Sequence, residues 1–159
     1  MRRETAIPLM RRVLRVLEEQ RPELSDHYMQ IPLECYQRED LAAREREIFE
    51  TRPLALLSAN EIAQPHDYVV RGAVGRSILL TRDADGRAHA FLNYCRHRGA
   101  EPAAGCGNGR IFRCPYHGWS YDTKGRLTGL PLRDRYDGLD LSELGLVELP
   151  SEERHGFIW

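Results

Sequence analysis

Residues 93–119 read NYCRHRGAEPAAGCGNGRIFRCPYHGW and contain two short motifs that each pair a cysteine with a histidine. The first motif is Cys95-Arg96-His97 and the second is Cys114-Pro115-Tyr116-His117, with sixteen residues between His97 and Cys114. Each motif places a thiolate and an imidazole within one tight loop. Two such loops at the tips of neighbouring hairpins can close around a metal centre with two sulfur and two nitrogen ligands.

This ligand set suits either zinc or an iron–sulfur centre. A zinc site with two cysteines and two histidines usually pairs cysteine with cysteine and histidine with histidine, whereas each loop here mixes them. A binuclear cluster accepts the mixture if one iron binds both cysteines and the other binds both histidines. Gly99 and Gly118 let backbone N–H groups approach cluster sulfides, Pro115 stiffens the second loop, and Trp119 can exclude water. Iron–sulfur is therefore favoured, and a structural zinc-binding interaction module is the alternative.

The chain as a whole is typical of a single globular domain. Its 159 residues allow one core with one or two peripheral helices. A formal net charge of −1 gives no support for nucleic-acid or membrane binding, and the apolar runs are too short to span a bilayer. The N-terminus does not resemble a secretory signal. Two of the four cysteines lie in metal-binding motifs, which favours a reducing compartment, so we expect a cytoplasmic protein.

The hydrophobic pattern changes from helical to β-type along the chain. It predicts helices over residues 8–20, with Pro8 in the first turn, and over about residues 37–50, ended by Pro53. Residues 77–92 predict a hairpin with its turn at residues 83–86. Further short β-type runs predict strands at residues 68–70, 110–113, 120–122 and 126–128. The predicted fold is mainly β with N-terminal helices (α+β), as a small antiparallel β-sandwich or open barrel.

Around the two motifs, the sequence resembles the Rieske non-haem iron oxygenases, the ring-hydroxylating oxygenase α-subunit family. Residues 95–100 (CRHRGA) and 114–119 (CPYHGW) are similar to the signature of that family, and Asn93 fits it too. The resemblance extends through flanking stretches, including Gly125-Arg126-Leu127 and residues 153–159, and so covers most of the chain. Respiratory Rieske proteins carry an additional disulfide-bonded cysteine in each loop, which these loops lack.

The resemblance implies a role for each residue of the motifs. Cys95 and Cys114 would bind the buried iron of a [2Fe–2S] cluster, and His97 and His117 would bind the outer iron near the surface. His117 would be the electron exit, facing a carboxylate in the catalytic domain of a neighbouring subunit. The residues expected to surround the cluster are Arg98, Gly99, Tyr116, Gly118 and Trp119.

The resemblance also implies a domain organisation. Residues 1–52 would form an N-terminal helical segment and residues 53–159 a Rieske domain, with cluster-binding loops at about residues 93–120. The catalytic domain, which holds a mononuclear Fe(II) through two histidines and a carboxylate, would lie downstream and outside this chain. The four remaining histidines have no compact ligand spacing, so no catalytic residue is expected here; they are His27, His66, His89 and His155.

The function implied is electron transfer within an oxidoreductase, a Rieske-type mono- or dioxygenase. The electron donor would be a ferredoxin or a reductase, the acceptor would be the catalytic domain of a neighbouring subunit, and the full-length protein would be a homo-oligomer, typically a trimer. A stand-alone Rieske ferredoxin-like carrier is the alternative. The first loop has no Ser or Thr near Cys95, and Tyr116 is the hydroxyl near the cysteine of the second loop. Tyr94 and Tyr121 are assigned to packing. Because a site with few hydroxyl donors should lie toward the low end of Rieske potentials, we expect a low reduction potential. Cys35 is expected to be buried and Cys106 to lie in a loop.

Overall fold

The computed structural model describes residues 2–25 and 27–159, and its contacts divide the chain into two compact units, Met1–Leu41 and Ala42–Trp159. Helix α1 spans Arg3–Glu19 and helix α2 spans Glu39–Thr51. The strands are β1 (Leu57–Ser58), β2 (Asp67–Ala73), β3 (Arg76–Arg82), β4 (Ala88–Leu92), β5 (Cys106–Asn108), β6 (Ile111–Arg113), β7 (Ser120–Asp122), β8 (Leu127–Gly129), β9 (Glu148–Leu149), β10 (Glu153–Arg154) and β11 (Phe157–Ile158). Short 3₁₀ helices lie at Leu33–Tyr36, Ala59–Ile62, Arg133–Tyr136 and Leu141–Leu144.

The first unit is built around α1, and the predicted start of this helix at residue 8 is wrong. The helix begins at Arg3 and contains Pro8. Proline lacks an N–H group, so within a helix it removes one hydrogen bond to the carbonyl four residues earlier; the helix continues through that loss. From within the helix, Arg12 Nε donates to the carboxylate of Glu23, which lies beyond the C-terminal end of α1, at 2.6–2.7 Å. Cys35, expected to be buried, is exposed.

Helix α2, at Glu39–Thr51, agrees with the predicted helix to within two residues at each end. Among the residues that the structure describes, no helix combines the length and the hydrophobicity needed to cross a membrane.

The second unit consists of three antiparallel sheets. A central five-stranded sheet has the order β5-β2-β3-β4-β9, and two three-stranded sheets have the orders β1-β11-β10 and β6-β7-β8. The predicted hairpin is confirmed, since β3 pairs with β4 from Ile78–Leu92 to Arg82–Ala88. The sequence did not reveal that β2 and β3 form a second hairpin, which turns through Val74 and Gly75 at φ values of 49° and 70°. The predicted class, mainly β with two helices, is confirmed, and the sheets of the described residues do not close into a barrel.

Both faces of the central sheet are covered by apolar side chains. Because successive residues of a strand point to opposite faces, Leu79 and Phe91 lie in one core with the residues of the two Cys/His loops, and Ile78, Leu80 and Ala90 lie in the other. The first core lies between the central sheet and the β6-β7-β8 sheet; its buried members are Leu79, Phe91, Cys95, Ala103, Phe112, Cys114, Trp119, Tyr121 and Leu146. The packed core thus extends directly to the two cysteines of the motifs.

Candidate metal centre

The two Cys/His loops have the same backbone hydrogen bonds. In the first loop, Cys95 N–H donates to the Ala100 carbonyl at 2.9 Å and Gly99 N–H donates to the Cys95 carbonyl at 2.8 Å. Gly99 has a φ of +73°, a conformation that L-residues with a side chain rarely adopt. The glycine two residues after the histidine is therefore needed to close this loop.

The second loop repeats that pattern at the same sequence offsets. Cys114 N–H donates to the Trp119 carbonyl at 2.8 Å and Gly118 N–H donates to the Cys114 carbonyl at 3.0 Å, with Gly118 at a φ of +74°. The loops follow different strands, since the first comes after β4 and the second joins β6 to β7. The glycine therefore lies four residues after the cysteine in both loops, although the histidine lies two residues after the cysteine in the first loop and three residues after it in the second.

Both cysteine thiols of the motifs are in the core, while the two imidazoles lie farther out. Cys95 and Cys114 are each 3% exposed and neither forms a disulfide. His97 is half-buried and His117 is exposed, and the centroids of their rings are 4.5 Å apart. Exposure therefore increases from the two buried thiols to the half-buried ring of His97 and the exposed ring of His117.

The imidazole of His97 has an unusual environment for a neutral polar ring. Its Nδ1 is buried and has no hydrogen-bond partner among the described residues, and its ring stacks on Trp119 with centroids 5.1 Å apart and an interplanar angle of 8°. Burial lowers the pKa of His97, and the positive charges of His117 and Arg98 lower it further. A buried nitrogen lone pair without a donor costs stability unless something binds it. Neutral imidazole with a free nitrogen is the form that binds a metal.

The remaining residues expected around the centre all contact the two loops or form part of them. The ring of Tyr116 lies 3.9 Å from that of His117, between centroids, and the guanidinium carbon of Arg98 lies 5.9 Å from the Tyr116 centroid. Trp119 is 3% exposed and contacts Tyr136 edge-to-face at 5.7 Å. The indole therefore covers one side of His97, as expected of a residue that excludes water.

Two residues support the first loop from the core; sequence reasoning matched Asn93 to the family signature and assigned Tyr121 to packing, and gave neither a role at the centre. The buried Asn93 donates from Nδ2 to the Ala103 carbonyl at 2.9 Å and to Ser77 Oγ at 3.1 Å. The hydroxyl of Tyr121, fully buried, lies 3.2 Å from Cys95 Sγ. The expectation that no hydroxyl other than that of Tyr116 lies near the cysteines is therefore wrong. The available signal was the spacing of Trp119 and Tyr121, since two large aromatic residues two positions apart point to the same face of an extended segment.

The donor set suits a centre with more than one metal ion. The four side chains of the motifs are two buried thiols and two less buried imidazoles. A binuclear cluster needs only two protein ligands for each iron, which fits a pair of buried thiols and a separate pair of outer imidazoles.

The other cysteines and histidines lie elsewhere. Cys106, expected in a loop, lies exposed in strand β5 and pairs with Val69. His89 is a hydrogen-bonded core residue, with Nε2 3.0 Å from Asp83 Oδ2 and Nδ1 3.2 Å from Glu148 Oε1.

Comparison with known proteins identifies a family that carries a binuclear iron–sulfur cluster. The family model described as "Rieske [2Fe-2S] domain" matches residues 52–148. The chain is 34% identical over 113 residues to the oxygenase subunit of carnitine monooxygenase from Acinetobacter baumannii, covering 70% of this chain and 30% of the relative. It is 38% identical over 116 residues to the large oxygenase component of a naphthalene 1,2-dioxygenase system from a Ralstonia species, covering 70% and 26%.

Solved structures of Rieske oxygenases contain a region with the same fold as this chain. The apo form of a quaternary ammonium Rieske monooxygenase superposes with a TM-score of 0.72 at 30% identity, covering 81% of this chain and 38% of that one. Naphthalene 1,2-dioxygenase from a Rhodococcus species superposes with a TM-score of 0.70 at 36% identity, covering 76% and 29%. The chain thus spans between about a quarter and about a third of the length of these relatives. It belongs to the Rieske [2Fe–2S] domain family, in the form found in the oxygenase α-subunits of Rieske mono- and dioxygenases.

Proposed function

We propose that Cys95, His97, Cys114 and His117 bind the [2Fe–2S] cluster, with the cysteines on the inner iron and the histidines on the outer iron. The observation that carries this assignment is the buried, unpartnered Nδ1 of His97 beside two buried free thiols. The equal closure of the two loops by Gly99 and Gly118 supports it.

When bound, a Rieske cluster accepts and releases one electron at a time. The residues of this chain would control where that electron can go. Trp119 covers His97 on the inner side, whereas His117 is exposed. The exposed imidazole gives a redox partner a direct approach to the outer iron, and this supports His117 as the electron exit.

The relatives support a larger role for the chain. The electron would come from a ferredoxin or a reductase and pass to a mononuclear non-haem iron in the catalytic domain of a neighbouring subunit, in a homo-oligomeric oxygenase such as a trimer. Inter-subunit electron transfer is stated for a quaternary ammonium Rieske monooxygenase that is 31% identical to this chain. The carnitine and naphthalene oxygenases act on different substrates, and what they share with this chain is the electron-transferring domain.

The domain assignment is part of the proposal. Residues 53–159 would form the Rieske domain and residues 1–52 a separate helical segment. The match of the family model to residues 52–148 supports this boundary, whereas the contacts divide the chain within α2, between Leu41 and Ala42. Four unpaired cysteines agree with a cytoplasmic location, where thiols stay reduced.

Reconstitution of the chain with iron and sulfide under anaerobic conditions tests the ligand assignment. The expected product is red-brown, contains two irons per chain and shows a rhombic EPR signal after reduction. His97→Ala and Cys114→Ser should each abolish that signal, whereas Cys106→Ser, which changes an exposed thiol, should retain it. A colourless, EPR-silent protein that holds one zinc ion would refute the assignment and favour the structural zinc module.

A further inference from the structure

The two Cys/His loops close in the same way near their cysteines but are held differently one step farther out. At the base of the second loop, residues 112–113 pair with residues 120–121 in the β6–β7 ladder. Among the described residues, no strand follows the first loop until β5 begins at Cys106, and β5 pairs with β2 rather than with β4. The base of the first loop is therefore held by something other than a strand ladder.

The side chain of Asn93 provides that support. Asn93 is fully buried and lies two residues before Cys95, the position that Phe112 has relative to the second cysteine. Its Nδ2 donates to the carbonyl of Ala103 at 2.9 Å, and its Oδ1 accepts from the N–H of Ala103 at 3.3 Å. A neighbouring antiparallel strand bonds both main-chain groups of one residue in the same way. The amide of Asn93 thus takes the place of a strand partner for the segment that follows the loop.

Asn93 is itself fixed to the central sheet through Ser77 in strand β3. Its Nδ2 also donates to Ser77 Oγ at 3.1 Å, and its backbone N–H donates to the carbonyl of Ser77 at 2.9 Å. The N–H of Ser77 donates in turn to the hydroxyl of Tyr94 at 3.0 Å. An asparagine amide has two protons to donate, and here one is used on each side, toward the sheet and toward the far end of the loop.

A contact at the sulfur of Cys95 depends on where this loop lies. The hydroxyl of Tyr121 is 3.2 Å from Cys95 Sγ and accepts from the N–H of Arg96 at 3.0 Å. Tyr121 belongs to the β6-β7-β8 sheet, whereas Cys95 and Arg96 belong to the first loop. Because hydrogen bonds weaken steeply as their geometry departs from the ideal, this contact requires a loop that is held in place relative to β7.

We infer that Asn93 is a positioning residue for the first loop: through Ala103 and Ser77 it holds Cys95 at hydrogen-bond distance from the hydroxyl of Tyr121. Asn93 acts on Cys95 through the backbone of the loop. The inference rests on the proposed function, in which Cys95 binds the cluster, and it adds a residue that sets the environment of that ligand without being one.

Hydrogen exchange of the cluster-loaded chain tests whether Asn93 holds this loop in particular. Asn93→Ala should speed exchange of the amides of residues 95–103 about tenfold or more, because the loss of two hydrogen bonds lowers the free energy of local opening. Exchange of residues 114–121 should change less than about twofold, since the β6–β7 ladder holds that loop.

Asn108→Ala is the matched control for the loss of an asparagine amide. The Nδ2 of Asn108 also donates to a backbone carbonyl, that of Pro65, at 2.9 Å, but from strand β5. Its substitution should leave exchange in both cluster loops within about twofold of wild type.

The midpoint potential of the cluster is a readout that a merely structural role would not move in the same way. Asn93→Ala should lower the midpoint, because Cys95 Sγ loses its aligned contact with the Tyr121 hydroxyl. In the Tyr121→Phe background, the same substitution should cause no further shift, because the contact is already absent. Ser77→Ala removes a single bond to Asn93 and is the milder variant, so it should show both effects in smaller size and serves if Asn93→Ala does not fold.

Three results would overturn the inference. They are exchange that speeds up equally in both loops, a midpoint shift of the same size with and without the Tyr121 hydroxyl, and wild-type exchange and midpoint in both Asn93→Ala and Ser77→Ala. Failure of the proposed function would appear separately, as the absence of the rhombic EPR signal from the loaded wild-type chain.

Discussion

The hydroxyl of Tyr121 lies 3.2 Å from Cys95 Sγ and accepts a hydrogen bond from the Arg96 N–H at 3.0 Å. Because the hydroxyl oxygen is the acceptor for Arg96, its own proton is free to point at the sulfur. Burial raises the pKa of Tyr121, and the hydrogen bond with Cys95 raises it further. Tyr121 therefore remains a protonated donor over the working pH range, and the sulfur that it contacts is the one assigned to the inner iron.

Removal of this donor should lower the reduction potential. Reduction adds negative charge to the cluster and its sulfurs, and a hydrogen bond to sulfur stabilises that charge. A hydrogen bond worth about 1 kcal/mol corresponds to about 40 mV for one electron, so Tyr121→Phe should lower the midpoint by about that amount in film voltammetry. Tyr94→Phe is the control, because its hydroxyl accepts from Ser77 N–H at 3.0 Å. Equal midpoints for wild type and Tyr121→Phe would contradict the assignment.

Exchange of one imidazole for a thiolate should also lower the potential. Replacement of cysteines by histidines raises Rieske potentials well above those of plant-type ferredoxins, so His117→Cys should retain a cluster with a midpoint roughly 100–200 mV lower. Voltammetry together with EPR measures both properties. The control is His155→Cys, which changes another exposed histidine and should leave the midpoint unchanged. Loss of the cluster would show that this position does not accept a third thiolate. An unchanged midpoint would show that residue 117 does not bind the cluster.

The parts of the fold that the sequence predicts well are those with a strong local signal. Strands β3 and β4 are short apolar β-type runs separated by the turn residues Asp83-Ala84-Asp85-Gly86, so the hairpin could be located to within a few residues. Each Cys/His motif closes on a glycine that adopts a positive φ. The ligand residues and the residue that shapes the loop thus lie within fewer than ten positions, so the loop could be predicted from local sequence.

The features that were missed depend on contacts between distant segments. Tyr121 approaches Cys95 across 26 positions of sequence, next to a register shift between β7 and β8 at Ser120 and Tyr121. A bulge of this kind redirects side chains and leaves little trace in composition. The early start of α1 at Arg3 was missed because Pro8 marks a helix start statistically, while an interior proline costs only part of the local stability.

Gly125 is required by its tertiary environment, and its substitution should destabilise the domain strongly. A Cβ at this position would lie 2.4 Å from Cε1 of Phe91, a ring that is 1% exposed, and the φ of Gly125 is +73°. Overpacking together with left-handed strain should cost about 3 kcal/mol in Gly125→Ala. Gly86→Ala is the matched control, because Gly86 has a φ of +82° and nothing within 4 Å of a built Cβ, so only about 1 kcal/mol of backbone strain is expected. Urea unfolding of both variants measures the difference, and similar losses would show that the Phe91 contact costs nothing.

A buried polar network lies at the turn of the β3–β4 hairpin. Asp83 is 2% exposed, and its Oδ1 accepts from the backbone N–H groups of Asp85 and Arg87 at 2.9 Å, while its Oδ2 lies 3.0 Å from His89 Nε2. Lys124 Nζ lies 3.6 Å from the same Oδ2. Burial alone would raise the pKa of Asp83, but the hydrogen bonds from His89 and the two backbone groups together lower it to about 2.

This shift should make Asp83 a source of stability that acid removes. The pKa of Asp83 in the fold, about 2, is below the ordinary value of 3.8, so its contribution is complete above about pH 5 and is lost as the pH falls through 4 toward 2. The shift corresponds to about 2 kcal/mol. In urea unfolding, Asp83→Asn should therefore be about 2 kcal/mol less stable than wild type at neutral pH, and the gap should narrow below pH 4, with contributions common to both proteins cancelling. Asp85→Asn is the control, since Asp85 makes an exposed ion pair with Lys124 at 2.7 Å and should cost less than about 1 kcal/mol. A gap between Asp83→Asn and wild type that stays constant from pH 7 to pH 3 would contradict the assigned ionisation of Asp83.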